Sequence, residues 1–248
     1  MTTDDGWQDH RDPAKLKTLR NKFALTDQRT VEAVEAQVSA LRIAEIVNEP
    51  LSGNFDFGHY CALHSRLLGD TFDWAGTPPA ADGALTAPER DVVKVLGEDL
   101  SSPSIDYRRL VGRSVRDSGE YVFGYLQAEG CLLGLTDQRF TSRLAAYWCT
   151  LSSLPIFPRG NTRVEVVFFH QLTRYSGRRL DARELFTRAT EFRHARSTES
   201  TRARYALFNA LMEVVVDHND HNEPTRPVFR PPPATSDAAR TSTDIASP

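Results

Sequence analysis

Apolar residues along this chain recur mostly three or four positions apart, the spacing of one face of an α-helix, and nowhere do they alternate long enough to make a strand. Val31, Val34, Val38, Leu41 and Ala44 line one face of a long helix capped by Thr26 or Asp27, with Glu32, Glu35 and Arg42 expected outside. Pro50, Ser52, Gly53 and Asn54 close it. Asp56 caps the next helix, whose stripe is Phe57, Tyr60, Cys61, His64, Leu67 and Leu68. A short helical segment around Leu16 and Leu19 precedes both, following Asp12-Pro13.

Further helical patterning starts at Pro88 and again after Pro103, while residues 120–133 fit helix or strand by pattern and lean to helix by length. Thr136-Asp137 starts a helix through Phe140, Leu144, Trp148 and Leu151. Another carries Val164, Val167, Phe168, Leu172 and Tyr175, with Gly177 as its C-terminal cap. Asp181 and Glu184 open a helix with Leu185, Ala189 and Phe192, and Ser197 or Thr198 opens the last, through Leu207, Ala210, Leu211 and Val214. The fold class is therefore all-α: a disordered lead over residues 1–12, one helical-bundle domain over 13–218, and a disordered Pro/Ser/Thr-rich tail over 219–248.

A chain of 248 residues with 40% hydrophobic positions can bury a full core. No apolar run approaches the roughly 18 residues that suggest a membrane span, and residues 1–11 lack the apolar core of a leader, so no membrane partner and a cytoplasmic location are expected. Cys61, Cys131 and Cys149 are odd in number and scattered in apolar runs, which reads as reduced core thiols. The net charge of −3 excludes nucleic-acid binding by overall basic charge, and the arginines at 178, 179, 183 and 188 have no interleaved aromatics on which bases would stack.

The candidate site is the Pro-bracketed stretch Leu154-Pro155-Ile156-Phe157-Pro158-Arg159-Gly160-Asn161-Thr162-Arg163. Its prolines keep the chain out of helix as far as Pro158, so Gly160, Asn161, Thr162 and Arg163 form the first exposed turn of a helix. Free N–H groups and the positive dipole end at such a turn suit an anion, Arg163 adds a fork of donors matched to phosphate, and Gly160 lets the backbone approach a ligand closely. A simple turn into a helix and a helix-start role for Thr162 stay open beside the phosphate reading.

Several separated markers then form a recognisable order. They are Leu19-Arg20-Asn21-Lys22-Phe23, Ala40-Leu41-Arg42, Phe55-Asp56-Phe57 with His59 and Leu63-His64, Asp73-Trp74-Ala75-Gly76, and Phe157-x-x-Gly160-Asn161-x-Arg163. Over roughly residues 19–215 the chain resembles the Fic (Fido-domain) family, α-helical enzymes that transfer AMP to proteins. The resemblance implies a Fic-like helical bundle with the motif loop at the N-terminus of a central helix. It also implies ATP or a related nucleotide as ligand, a protein target or small antitoxin-like partner, and self-association.

The family signature reads His-Pro-Phe-x-Asp/Glu-Gly-Asn-Gly-Arg-x-x-Arg. Its histidine takes a proton from the target hydroxyl, its acid holds magnesium, and its glycines and arginines cradle phosphates. Phe157, Gly160, Asn161 and Arg163 match. The histidine position falls on Pro155 or Leu154, the acidic one on Pro158 or Arg159, the second glycine on Thr162 and the second arginine on Val166. Pro78, Pro79, Ala80 and Ala81 stand where the family's target-aligning flap has its basic residues. The resemblance thus supplies no catalytic residue and no magnesium ligand, and losing a general base alone costs about 10² to 10⁴ in rate. The inhibitory Ser/Thr-x-x-x-Glu-Gly/Asn helix of many relatives is absent too, and with Val166 at the second arginine position its glutamate would have nothing to bind.

Other histidines offer little: His64 lies on an apolar stripe and reads as a buried, hydrogen-bonded core residue, His170 is far along its helix, and His218 and His221 read as solvated. Three readings follow: a catalytically impaired pseudoenzyme that binds nucleotide, phosphate or a partner through Gly160, Asn161, Thr162 and Arg163; a divergent transferase moving AMP or another phosphate-containing group to a protein hydroxyl; or a structural, partner-binding helical module.

Overall fold

The computed structural model describes residues 18–78, 114–198 and 200–217. The expected lead, the tail and the helices starting at Pro88 and Pro103 lie outside them. Among the described residues, helices α1 (Gln28–Asn48), α2 (Phe57–Leu68), α3 (Val115–Ala128), α4 (Asp137–Ser152), α5 (Asn161–Tyr175), α6 (Ala182–Thr187), α7 (Ala189–Ser197) and α8 (Thr201–Val215) follow in order. Two-residue strands β1 (Arg179–Leu180) and β2 (Val216–Asp217) pair antiparallel and tie the exit of α5 to the end of α8.

Local chemistry sets the helix starts. Asp27 accepts from the Thr30 N–H, Asp56 from His59, Ser114 from Asp117 and Asp181 from both Arg183 and Glu184. Ser200 caps α8, later than the expected Ser197 or Thr198, because α7 continues to Ser197. Residues 18–27 are not helical: Asn21 clamps a turn by accepting from the Leu25 N–H at 3.0 Å and donating to the carbonyls of Leu19 and Leu25.

The layers build outward from α4 and α5. α4 packs along α8, which α7 covers, while α5 lies against α2, α4 and α1. Trp148 stacks on Phe169 with ring centroids 4.5 Å apart and meets Phe192 and Phe208, whereas Tyr60, Phe123, Phe157 and Phe168 form a second aromatic cluster between α2, α3 and the loop before α5. Phe168 and Phe169 touch edge to face and join the two. One polar tie crosses this apolar interior: Glu165 of α5, fully buried, pairs with Arg196 of α7 and accepts from Ser152 at 2.9 Å and Trp148 at 3.2 Å.

α1 departs from its expected orientation. Its buried positions are Val31, Glu35, Ser39 and Ile46, while Leu41 is 59% exposed. The helix is therefore rotated away from the apolar stripe and carries a carboxylate inward, compensated by the arginines of the α5 entry loop.

Candidate functional site at the start of α5

The loop between α4 and α5 is held by its own apolar residues. Leu154, Ile156 and Phe157 are buried and Pro155 is exposed. Gly160 takes φ +83, a left-handed conformation that favours glycine, and α5 begins at Asn161. A β-carbon on Gly160 would lie 2.3 Å from Leu68 Cδ1 and 3.2 Å from His64 Nε2. The close approach that Gly160 permits is made, on its Cβ side, by α2 of the same chain.

Asn161 is likewise engaged by its own loop. Its Oδ1 accepts from the Phe157 N–H at 3.0 Å and its Nδ2 donates to the Phe157 carbonyl at 2.7 Å, closing the turn as a backbone mimic. Thr162 is exposed at the mouth. The helix's own bonding starts with Val164 N–H to Gly160 O, so the N–H groups of Asn161, Thr162 and Arg163 lie in the unbonded first turn.

Beneath the loop, His64 is fully buried and stacks on Phe157 with centroids 3.6 Å apart. Its Nδ1 accepts from the Gly76 N–H at 2.8 Å, which leaves the proton on Nε2 to be donated to the Arg159 carbonyl at 2.8 Å. Burial pushes its pKa down to about 4, opposed by the bond to Arg159. His64 therefore links Asp73-Trp74-Ala75-Gly76 to the candidate loop as a neutral core residue. Trp74 extends the link by donating to the Arg20 carbonyl at 3.2 Å, and Lys22 N–H donates to Thr71. Two of the separated markers, Asp73-Trp74-Ala75-Gly76 and the loop before α5, thus meet at His64.

The charges at the mouth form a chain. Arg159 Nε donates to Glu35 Oε2 and Arg163 Nη1 to Glu35 Oε1, so one fully buried carboxylate holds two guanidiniums. Glu32, more exposed, lies 3.4 Å from Arg159 and accepts from Gln28 at 2.9 Å. A glutamate thus engages the arginines on both sides of Gly160, from a helix face expected to point outward. Sequence reasoning missed Glu35 by placing it on the solvent face. The available signal was that positions 31, 35, 39 and 46 share a helix face ending in Ile46.

Among the described residues, the thiols of Cys61 and Cys131 and the ring of His170 add no reactive group to the site. Burial pushes the Cys61 and Cys131 thiols up to about 11, far from a thiolate at neutral pH. His170 is shifted down by burial and Arg174. Magnesium does not fit the residues present: both oxygens of Glu35 are taken by arginines, Arg159 stands beside Glu32, and no group of three metal-ligating side chains occurs among the described residues. No helix among them is long and apolar enough to cross a membrane.

This helical arrangement, with its loop-to-helix turn after Phe157, is that of Fic domains. The BepC protein of Bartonella tribocorum with bound AMPPNP superposes with a TM-score of 0.65 at 20% identity, covering 85% of this chain and 97% of that one. The N-terminal Fic domain of a VirB-translocated Bep effector from Bartonella quintana with bound ADP gives 0.63 at 21% identity, covering 81% and 91%. In sequence, the chain is 28% identical over 176 residues to the Salmonella typhimurium protein named "Probable protein adenylyltransferase Fic", covering 70% of this chain and 78% of the relative. It is 27% identical over 190 residues to the protein adenylyltransferase VbhT of Bartonella schoenbuchensis, covering 75% and 36%. No family profile matches the chain. The chain has the Fic (Fido) fold and is similar in sequence to protein adenylyltransferases of that family.

Proposed function

We propose that this protein is a Fic-family pseudoenzyme: it binds a nucleotide or phosphate before α5 through the backbone of Gly160, Asn161 and Thr162 and the Arg163 guanidinium, and does not transfer AMP. The observation that carries the reading is the state of His64. It is the histidine that contacts the loop, yet both ring nitrogens are spent on Gly76 and Arg159 and the ring is sealed from solvent, so it has no lone pair to offer a substrate hydroxyl. Pro155 and Leu154, at the position of the family's histidine, cannot accept a proton. Glu35 does reach the loop, but beneath two arginines rather than toward a ligand.

AMPPNP and ADP in the structural relatives support a nucleotide as ligand. A second reading, a helical module that binds only a protein partner, is favoured by Leu68 filling the free side of Gly160 and by Asn161 being spent on Phe157. Thermal melting with and without ATP, beside incubation with α-labelled ATP, separates them. The pseudoenzyme is stabilised by ATP and passes no label to itself or to added protein. Absence of stabilisation selects the module, and label transfer selects the divergent transferase.

A further inference from the structure

We propose that the site at the start of α5 takes a nucleotide or free polyphosphate without a divalent cation, the Arg159 guanidinium neutralising phosphate charge where a metal would otherwise do so. The inference rests on the nucleotide-binding reading above and names the form of the ligand.

Three observations lead to it. First, Arg159 and Arg163 come from opposite sides of the Gly160 turn and converge on the two oxygens of one carboxylate, so Glu35 fixes their heads side by side. Glu35 is fully buried while the arginine side chains are 28% and 32% exposed; the Nη1 and Nη2 of Arg159 face Glu32 Oε1 at 3.4 Å, so a phosphate reaching Arg159 displaces that half-exposed carboxylate. Arg163 spends Nη1 on Glu35, and its Nε and Nη2 have no protein acceptor among the described residues. Second, the unbonded N–H groups of residues 161–163 stand at the same mouth, adding the positive end of a fifteen-residue helix. Third, most carboxylate oxygens a metal would need here are already engaged: both of Glu35 by the two arginines, and Oε1 of Glu32 by Gln28 and Arg159.

Magnesium demands near-octahedral oxygen ligation and dehydrates reluctantly, and the carboxylates at this mouth, Glu35 and Glu32, are each already paired with arginine. Guanidiniums instead bind phosphate oxygens directly, and they bind them best when the phosphate carries its full charge. A metal complexed to the polyphosphate lowers that charge and adds a positive ion facing Arg159. Glu35 is accordingly a positioning residue for the arginine pair.

The test is calorimetric titration of the full chain with ATP and with inorganic tripolyphosphate, in EDTA and in excess MgCl2. Binding in EDTA is expected to be as tight as with magnesium or tighter. In EDTA, Arg159→Ala is expected to weaken it by roughly tenfold or more, the loss of one charge-assisted contact, and Arg159→Lys by less. Circular dichroism melts check that each variant is folded. Arg159→Glu should abolish metal-free binding. Binding that requires magnesium, or a folded Arg159→Ala protein that binds as the parent does, overturns this inference while leaving the nucleotide reading intact. Failure of both probes in both buffers defeats the nucleotide reading and this inference with it.

Discussion

Replacing Arg196 with methionine isolates the buried carboxylate of Glu165, and the structure sets the size and pH dependence of the effect. Glu165 is 0% exposed; its Oε2 accepts from Arg196, Ser152 and Trp148, and its Oε1 has no partner among the described residues. Burial already raises its pKa from the ordinary 4.5, and the charge of Arg196 is the strongest influence pulling it back. Removing one partner of a buried pair costs about 3–5 kcal/mol when the remaining charge stays in place.

Protonation limits that loss. Holding the carboxyl protonated in the folded state costs about 1.36 kcal/mol per pH unit above 4.5, hence about 3.4 kcal/mol at pH 7 and about 1.4 kcal/mol at pH 5.5. The sign follows from the raised folded pKa: the stability is fully present below the unfolded value and is lost as pH rises through the folded one. Arg196→Met should therefore lose up to about 3 kcal/mol relative to the parent at pH 7, part of that cost being already borne by the parent's raised pKa, and less at pH 5.5. Urea denaturation followed by circular dichroism at both pH values measures this, and adding Glu165→Gln should remove the pH dependence. A loss below about 1 kcal/mol at pH 7, or equal losses at the two pH values, would refute the idea that an ionised Glu165 depends on Arg196.

Gly160→Ala should cost about 1–3 kcal/mol and lower the melting temperature, since alanine is strained at φ +83 and its β-carbon meets Leu68; an unchanged melt would show that the loop relaxes freely. Asn161→Ala should cost about 1–2 kcal/mol by freeing the Phe157 backbone groups, seen as faster amide exchange at Phe157. His64 gives an acid limb. Its folded pKa of about 4 lies below the ordinary 6.5, so it contributes stability above pH 6.5 that is lost as pH falls through 4, up to about 3 kcal/mol. His64→Gln should flatten that limb of the stability-against-pH curve, and a parent-like limb in the variant would place the acid sensitivity elsewhere.

Much of the bundle was legible because helix starts and stripes are local. The caps Asp27, Asp56 and Asp181, the glycine after α5, and the burial of Trp148, Phe140 and the α2 stripe all follow from spacing and side-chain chemistry within a few residues. The β1–β2 pair was not legible, since two-residue strands carry no alternation and arise from where α8 ends against the exit of α5. Nor was the face of α1. A stripe of Val34, Val38 and Leu41 outweighs one glutamate in any local count, yet Glu35 is inside because Arg159 and Arg163, far along the chain, supply its counter-charge. At the site, the sequence identified the turn into α5, but the partners of Gly160 and Asn161 depended on tertiary contacts.

Those partners change what a surviving Gly-Asn pair signifies. Glycine fits beside Leu68, and the asparagine amide stitches Phe157 into the turn, whether or not anything is ever bound or transferred there. The demands of an intact scaffold are enough to require both letters, so their presence in a chain reports on architecture first and on chemistry second.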